Sequence, residues 1–258
     1  MIVEKEADTL LTYESQPDGG QTPIIDPYDG CSIACPYCFN LHDGDWNKAI
    51  HVRTGIDELI GPVLAQWPKE ETIYLGSRCD PYMELERQYL LTRRCLRELA
   101  RLGIQTMVTT KGETDLILRD MDIYAKFQGS LVVLLGFARL SDYLRSGTGV
   151  RDRIDTARTL IDNDIRVWAF VTPVLPGGTD VEYIRSELPE SVPIFLDRLR
   201  LGDSVRQRER IMAAIRTNFP RLSAEYDSML ITGGQPYYAE LIERYGRDER
   251  ITFLFSGA

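Results

Sequence analysis

Short apolar runs rich in Ile, Val and Leu alternate along this chain with longer stretches whose apolar residues recur three and four positions apart. The runs at 22–26, 72–76, 105–109, 131–135, 166–171 and 193–197 have the length and β-branched content of strands. Between them, segments such as 88–102 and 150–163 carry the helical period. Strands alternating with helices of this length predict repeated βαβ units and a parallel sheet. Six such strands predict an α/β fold, a partial (β/α)6 parallel barrel. Residues 204–258 read as two helices and a last apolar run at 251–255, a C-terminal helical extension packed on the core. Residues 1–20 are polar, with a turn signal at Pro17-Asp-Gly-Gly20. The expected organisation is an N-terminal arm at 1–21, a barrel core at 22–203 and the extension at 204–258, with no internal repeat, low-complexity tract or linker.

The chain has 258 residues and a formal net charge of -9. An acidic balance argues against broad nucleic-acid affinity, which rests on neutralising phosphates with Lys and Arg. The local exception is the stretch holding Arg198, Arg200, Arg206, Arg208 and Arg210, which reads either as a solvated helix face or as a basic groove. No apolar run approaches the roughly 18 residues that a membrane helix needs, and the first residues lack a basic-then-apolar leader, so a cytoplasmic location away from any membrane is expected.

Three of the five cysteines fall within eight residues, Cys31-Ser-Ile-Ala-Cys35-Pro-Tyr-Cys38. Thiolates this close can converge on one metal centre, and iron–sulfur clusters are held by cysteine sulfur. Structural zinc wants four ligands, and no second Cys or His pair follows at zinc-finger distance. His42 and His51 are near in sequence, but their spacing fits no common zinc pattern. Disulfides suit a different compartment from the one expected here. In parallel barrels the chemistry sits at the carboxyl ends of the strands. That rule selects the cysteine loop, Gly76-Ser-Arg-Cys-Asp80 with Pro81 and Tyr82, Thr110-Lys111, Gly136-Phe-Ala-Arg139 and Thr172-Pro-Val-Leu-Pro-Gly177.

At the cysteines, with Tyr37 as the aromatic residue just before the last of them, the chain resembles the radical S-adenosylmethionine (radical SAM) superfamily. Further pieces resemble its spore photoproduct lyase-like branch, often labelled DNA repair photolyases: Asp26-Pro-Tyr-Asp-Gly-Cys31, Asp80-Pro-Tyr82 with Leu91-Thr-Arg-Arg94, Thr110-Lys111 with Leu118-Arg-Asp120, and Thr172 to Gly177. They span roughly residues 22–180. The resemblance implies a 4Fe-4S cluster on Cys31, Cys35 and Cys38 whose open iron chelates S-adenosylmethionine. It also implies reductive cleavage to a 5'-deoxyadenosyl radical that takes a hydrogen atom from substrate, the electron coming from a partner such as a flavodoxin or ferredoxin. By the same resemblance, Lys111 meets the methionine carboxylate and the loop from Ser77 lines the methionyl end. Tyr37 packs against adenine, as a lid or a contact, and Thr172 offers adenine a backbone group. Gly136 stands where a serine for the ribose is expected.

Spore photoproduct lyase carries a hydrogen-donating cysteine in the Ser77 loop. In this chain Ser77 takes that place and Cys79 lies two residues later. Cys79 is therefore expected to be partly exposed on the substrate cleft as the candidate hydrogen donor, while Cys95, inside a helical pattern, is assigned to packing. The substrate expected from the shifted thiol and the acidic charge is a small or medium polar molecule, with Arg78, Arg139 and Arg151 available for its phosphate or carboxylate groups. A nucleic-acid lesion or modification enzyme is the alternative, and a non-catalytic iron–sulfur sensor that binds S-adenosylmethionine is the second.

Overall fold

The computed structural model describes residues 1–15, 19–38, 40, 46–138, 148–200 and 205–255. Arg139 and His42 lie outside the described residues. The chain divides into two compact units, one formed by Met1–Ile33, Asp45–Leu135 and Thr156–Val167, the other by Ala34–Gly44, Gly136–Asp155 and Trp168–Ala258.

The first unit is built on strands β1 (Ile2–Glu6), β2 (Thr12–Ser15), β3 (Gln21–Ile25), β4 (Tyr28–Asp29), β5 (Ile50–Thr54), β6 (Ile73–Leu75), β7 (Thr106–Thr110) and most of β8 (Leu131–Gly136). One sheet runs β8-β7-β6-β3-β2, with every pairing parallel except that of β2 on β3. A smaller sheet runs β1-β5-β4. Strands of parallel sheets are covered on both faces and read as unbroken apolar runs. β8 conforms, with all six residues buried. The polar N-terminal stretch, expected to be an arm, supplies β1 and β2, which gave no sequence signal because β1 buries no residue fully and so shows no alternation.

The helices of this unit are α1 (Ile56–Val63), α2 (Glu86–Tyr89), α3 (Leu91–Leu102), α4 (Thr114–Arg119) and α5 (Met121–Tyr124). α3 buries Leu91, Thr92, Cys95, Leu96 and Leu99, a stripe at helical spacing. Cys95 is thus a core residue. The helix expected over 88–102 is broken at Leu90, whose φ is 55°. The break frees the first amides of α3, and the Glu86 carboxylate accepts the N–H of Thr92 at 3.0 Å and of Arg93 at 3.1 Å. An acidic group at a helix N-terminus satisfies amides that have no partner inside the helix.

Glu86 belongs to a buried polar network. Its carboxylate also accepts from the Tyr28 hydroxyl at 2.5 Å and from Arg119 at 3.1 Å. Asp120, fully buried, accepts from Arg93 at 2.7 Å, Arg119 at 2.8 Å and the Tyr82 hydroxyl at 3.1 Å, and that hydroxyl also meets Tyr124. Burial is the dominant influence on Glu86 and raises its proton affinity, against its hydrogen bonds and Arg119. Both carboxylates have the partners that a buried charge requires.

The second unit contains the first part of α6 (Thr148–Ile161) and most of β9 (Arg166–Val174), followed by α7 (Val181–Glu187), β10 (Ile194–Arg198), α8 (Val205–Asn218), α9 (Ser223–Thr232), α10 (Gln235–Tyr245) and β11 (Ile251–Phe253). β9, β10 and β11 form parallel neighbours in that order, with Ile194 opposite Ala169 on one side and Ile251 on the other. The last apolar run is therefore a strand on the β10 edge. The segment from 204 holds three helices rather than the expected two. A turn at Pro220–Leu222 separates α8 from α9, and Gly233-Gly234, a poor helix-forming pair, separates α9 from α10. The architecture is a mixed α/β fold with parallel sheet and helices.

Candidate active site

In the first unit three strand ends carry polar residues. β3 runs into Asp26, β6 into Gly76–Asp80, and β7 into Lys111 and Gly112. Gly76 turns the chain at φ 78°, and a side chain there would sit 2.3 Å from the Pro81 ring. Asp80 then ties its own loop to the next. Its Oδ1 accepts the Tyr82 N–H at 2.9 Å and the Thr110 hydroxyl at 2.8 Å, and its Oδ2 accepts the Lys111 N–H at 2.6 Å. The approach is so close that a Cβ on Gly112 would lie 2.2 Å from the Tyr82 carbonyl oxygen. Lys111 is half-buried at this junction, with its backbone fixed by Asp80.

Asp26 does the same one strand earlier. Its Oδ1 accepts the N–H of Arg78 at 3.2 Å, the N–H of Cys79 at 3.3 Å and the Cys79 thiol at 3.4 Å. Burial, only partly offset by these bonds and by the Arg78 charge, raises its pKa from 3.8 to about 6. Cys79 is buried, at 3% exposure, and not partly exposed as expected. The reason is Asp26, which draws both the amide and the thiol of Cys79 inward. Burial first, and then the Asp26 and Cys31 charges, hold the Cys79 thiol well above its ordinary range, so it rests protonated. Ser77 is half-buried, its hydroxyl 3.5 Å from Glu14, and the exposed Arg78 places its guanidinium 5.7 Å from the centre of the Trp46 ring.

Cys31, also in this unit, is half-buried and donates its N–H to the Trp46 carbonyl at 3.1 Å. The other two cysteines belong to the second unit, where the Cys38 N–H donates to the Cys35 carbonyl at 2.9 Å. Tyr37 is held at both ends. Its hydroxyl donates to the Ala138 carbonyl, and its own carbonyl accepts from the Gln207 side chain at 3.1 Å. Gln207 opens α8, and Arg210 one turn later brings its charge within electrostatic reach of Cys38. Of the arginine stretch, the exposed Arg200 pairs with Asp197 at 3.1 Å. Thr172 is half-buried in β9, and Arg151 is exposed on α6.

In one unit the structure thus sets Cys79 on Asp26, the Lys111 backbone on Asp80 and Ser77 beside Glu14; Tyr37, Cys35 and Cys38 belong to the other. Sequence reasoning did not assign Asp26 or Gln207 a role. Asp26 had a signal, since it ends an apolar run directly before the cysteine loop, whereas Gln207 had none. Among the described residues no three His, Cys, Asp or Glu side chains are gathered as a metal site. The chemistry of the donor set fits an iron–sulfur cluster nonetheless. Cys31, Cys35 and Cys38 form no disulfide, are accessible in part and lie within eight residues of sequence, and soft thiolates select such clusters.

No family model matches the chain. It is 31% identical over 179 residues to the uncharacterized protein MJ0683 of Methanocaldococcus jannaschii, covering 65% of this chain and 66% of that relative's length. Among solved structures, a spore photoproduct lyase variant with bound AdoMet and dinucleoside spore photoproduct superposes with a TM-score of 0.60 at 14% identity, over 85% of this chain and 66% of that one. SuiB of Streptococcus suis, bound to its precursor peptide SuiA, superposes with a TM-score of 0.51 at 16% identity, over 81% of this chain and 46% of that one. The chain shares the fold of these two radical SAM proteins, and the resemblance first carried by its cysteine motif extends to the architecture around that motif.

Proposed function

We propose that this chain is a radical SAM enzyme of the spore photoproduct lyase-like kind, with its sheet forming the partial barrel expected from the sequence. The observation that carries the reading is the three-cysteine loop, without a disulfide, that comes after β3 and β4 in a fold shared with spore photoproduct lyase and SuiB. Cys31, Cys35 and Cys38 would hold a 4Fe-4S cluster, and Lys111, with its backbone anchored by Asp80, would meet the S-adenosylmethionine carboxylate as a compact cation. When bound, the cluster and S-adenosylmethionine supply a 5'-deoxyadenosyl radical able to take hydrogen from an unactivated carbon. The protein's own contribution is placement and exclusion of water. Tyr37, fixed through its hydroxyl and its carbonyl, offers a rigid ring for adenine. Cys79, held as a neutral thiol, offers a hydrogen atom to a product radical, a role that its burial restricts to a partner brought directly against the loop.

The substrate reading favours a polar organic molecule, and its class divides two ways. The chain's charge of -9 supports a small polar substrate. The dinucleoside photoproduct bound by spore photoproduct lyase supports a nucleic-acid lesion, while the peptide bound by SuiB marks a third chemistry on the same fold. The test is anaerobic reconstitution with iron and sulfide, followed by reduction in the presence of S-adenosylmethionine. Formation of 5'-deoxyadenosine is expected, and its absence from protein that carries the cluster would overturn the reading. Deuterium passing from a candidate substrate into 5'-deoxyadenosine would identify the substrate. Dinucleotide or DNA binding that weakens steeply with salt would favour the lesion reading.

A further inference from the structure

Asp26 connects a buried sulfur to open space. The carboxyl is 6% exposed, and its Oδ1 takes all three of its side-chain hydrogen bonds, including the one from Cys79 Sγ at 3.4 Å. Its Oδ2 accepts none among the described residues. Asp26 lines a cavity of about 210 Å³ together with Thr12, Tyr28, Trp46, His51 and Arg78. Cys79 is not part of that lining. Because Asp26 follows β3 and Arg78 follows β6, the cavity lies at the carboxyl ends of two parallel strands, where ligands enter folds of this kind.

We propose that Asp26 is a proton conduit between this cavity and the Cys79 thiol, a positioning and proton-transfer residue. Sγ–H transfers its proton to the carboxylate, leaving a thiolate and a neutral carboxyl. The carboxyl passes that proton to a base in the cavity, takes another from an acid there, and returns it to the thiolate. Every step conserves charge and needs no electron. A carboxyl with a pKa of about 6 populates both states near neutrality, as such a relay requires. Burial is what chiefly raises it, against the Cys79 and Arg78 amides, the Cys79 thiol and the Arg78 charge, while Arg53 fixes the Asp26 backbone by donating to its carbonyl at 2.9 Å. The use of the conduit rests on the radical SAM reading. After Cys79 gives a hydrogen atom to a product radical, one electron from a low-potential reducing partner makes the thiyl a thiolate, and Asp26 delivers the proton that restores the thiol.

The conduit is tested without iron or S-adenosylmethionine, so a failure of the radical reading leaves the result standing. The full chain is moved into heavy water and the Cys79 S–H infrared band, assigned by its loss in Cys79→Ser, is followed as it converts to S–D. Asp26→Asn keeps an acceptor for both amides but cannot carry a proton, and exchange is expected to slow at least tenfold, whereas Asp26→Glu keeps much of the rate. Equal rates in wild type and Asp26→Asn overturn the proposal. Should Asp26→Asn fail to fold, Thr12→Phe leaves the carboxyl in place and fills the cavity. It is expected to slow exchange likewise, and an unchanged rate there overturns the proposal as firmly.

Discussion

The loop after β6 and the cysteine loop are both strand-end segments, yet they are held in opposite ways. From Gly76 to Tyr82 the backbone is fixed by two carboxylates, Asp26 and Asp80, and by glycines whose contacts leave no room for a methyl group. Around the cysteines the backbone bonds run to main-chain carbonyls, from the Cys31 N–H to Trp46 and from the Cys38 N–H to Cys35. The first loop carries its geometry in the polypeptide. The second supplies thiols, for which metal binding and local ordering are coupled.

The contrast breaks most visibly at the cluster. Replacing Cys31, Cys35 or Cys38 with Ala is expected to abolish iron and sulfide incorporation, measured by visible absorbance and iron content, while leaving the thermal unfolding of the apo chain nearly unchanged. Loss of iron in Cys79→Ala or Cys95→Ala instead would mean the ligands are wrongly assigned. On the other side of the comparison, Asp120→Ala removes the buried acceptor shared by Arg93, Arg119 and Tyr82 behind the β6 and β7 loops, leaving Arg93 on Asp122 and Arg119 on Glu86. Losing charge-assisted hydrogen bonds to a fully buried carboxylate costs about 1.5–3 kcal/mol, to be read from denaturant unfolding. A loss below about 1 kcal/mol would show that the network is dispensable.

Asp26 sharpens the comparison through pH. Its folded pKa is raised, so its contribution to stability is fully present below about pH 4 and is lost as pH rises to about 6. The shift of about two units corresponds to ~3 kcal/mol. Asp26→Asn should lack that part of the profile and gain on wild type between pH 4 and 6.5; parallel profiles would place the carboxyl in ordinary solvent. The smallest effect is expected at Lys111→Ala, where a lost charge-assisted contact weakens S-adenosylmethionine binding by about 1.5–3 kcal/mol, roughly ten- to hundredfold, with cluster content intact. Unchanged affinity by titration would return Lys111 to a surface role.

The six central strands were legible because parallel strands are apolar on both faces, and each lies within a few residues of its expected span. β1 and β2 were not, since both are short and polar and neither buries a residue fully, so no apolar run marks them. Leu90 was hidden for another reason. A left-handed leucine inside a helical pattern is imposed by Glu86 reaching the α3 amides, a tertiary demand that local propensity does not encode. The same limit applies to Cys79, where a strand-end position suggested exposure but the carboxylate five residues before the first cysteine turned the thiol inward. Arg93, Arg119 and Asp120, drawn from pieces that carried the family resemblance, prove to be scaffold residues bonded to one another.

That scaffold has a consequence for heat. The cost of dehydrating charged groups falls as temperature rises, while stabilisation per unit of buried apolar area levels off. The knot of Glu86, Arg93, Arg119 and Asp120 should therefore supply a growing share of the resistance to unfolding in warm surroundings, keeping the β6 and β7 loops aligned when purely apolar contacts have stopped gaining.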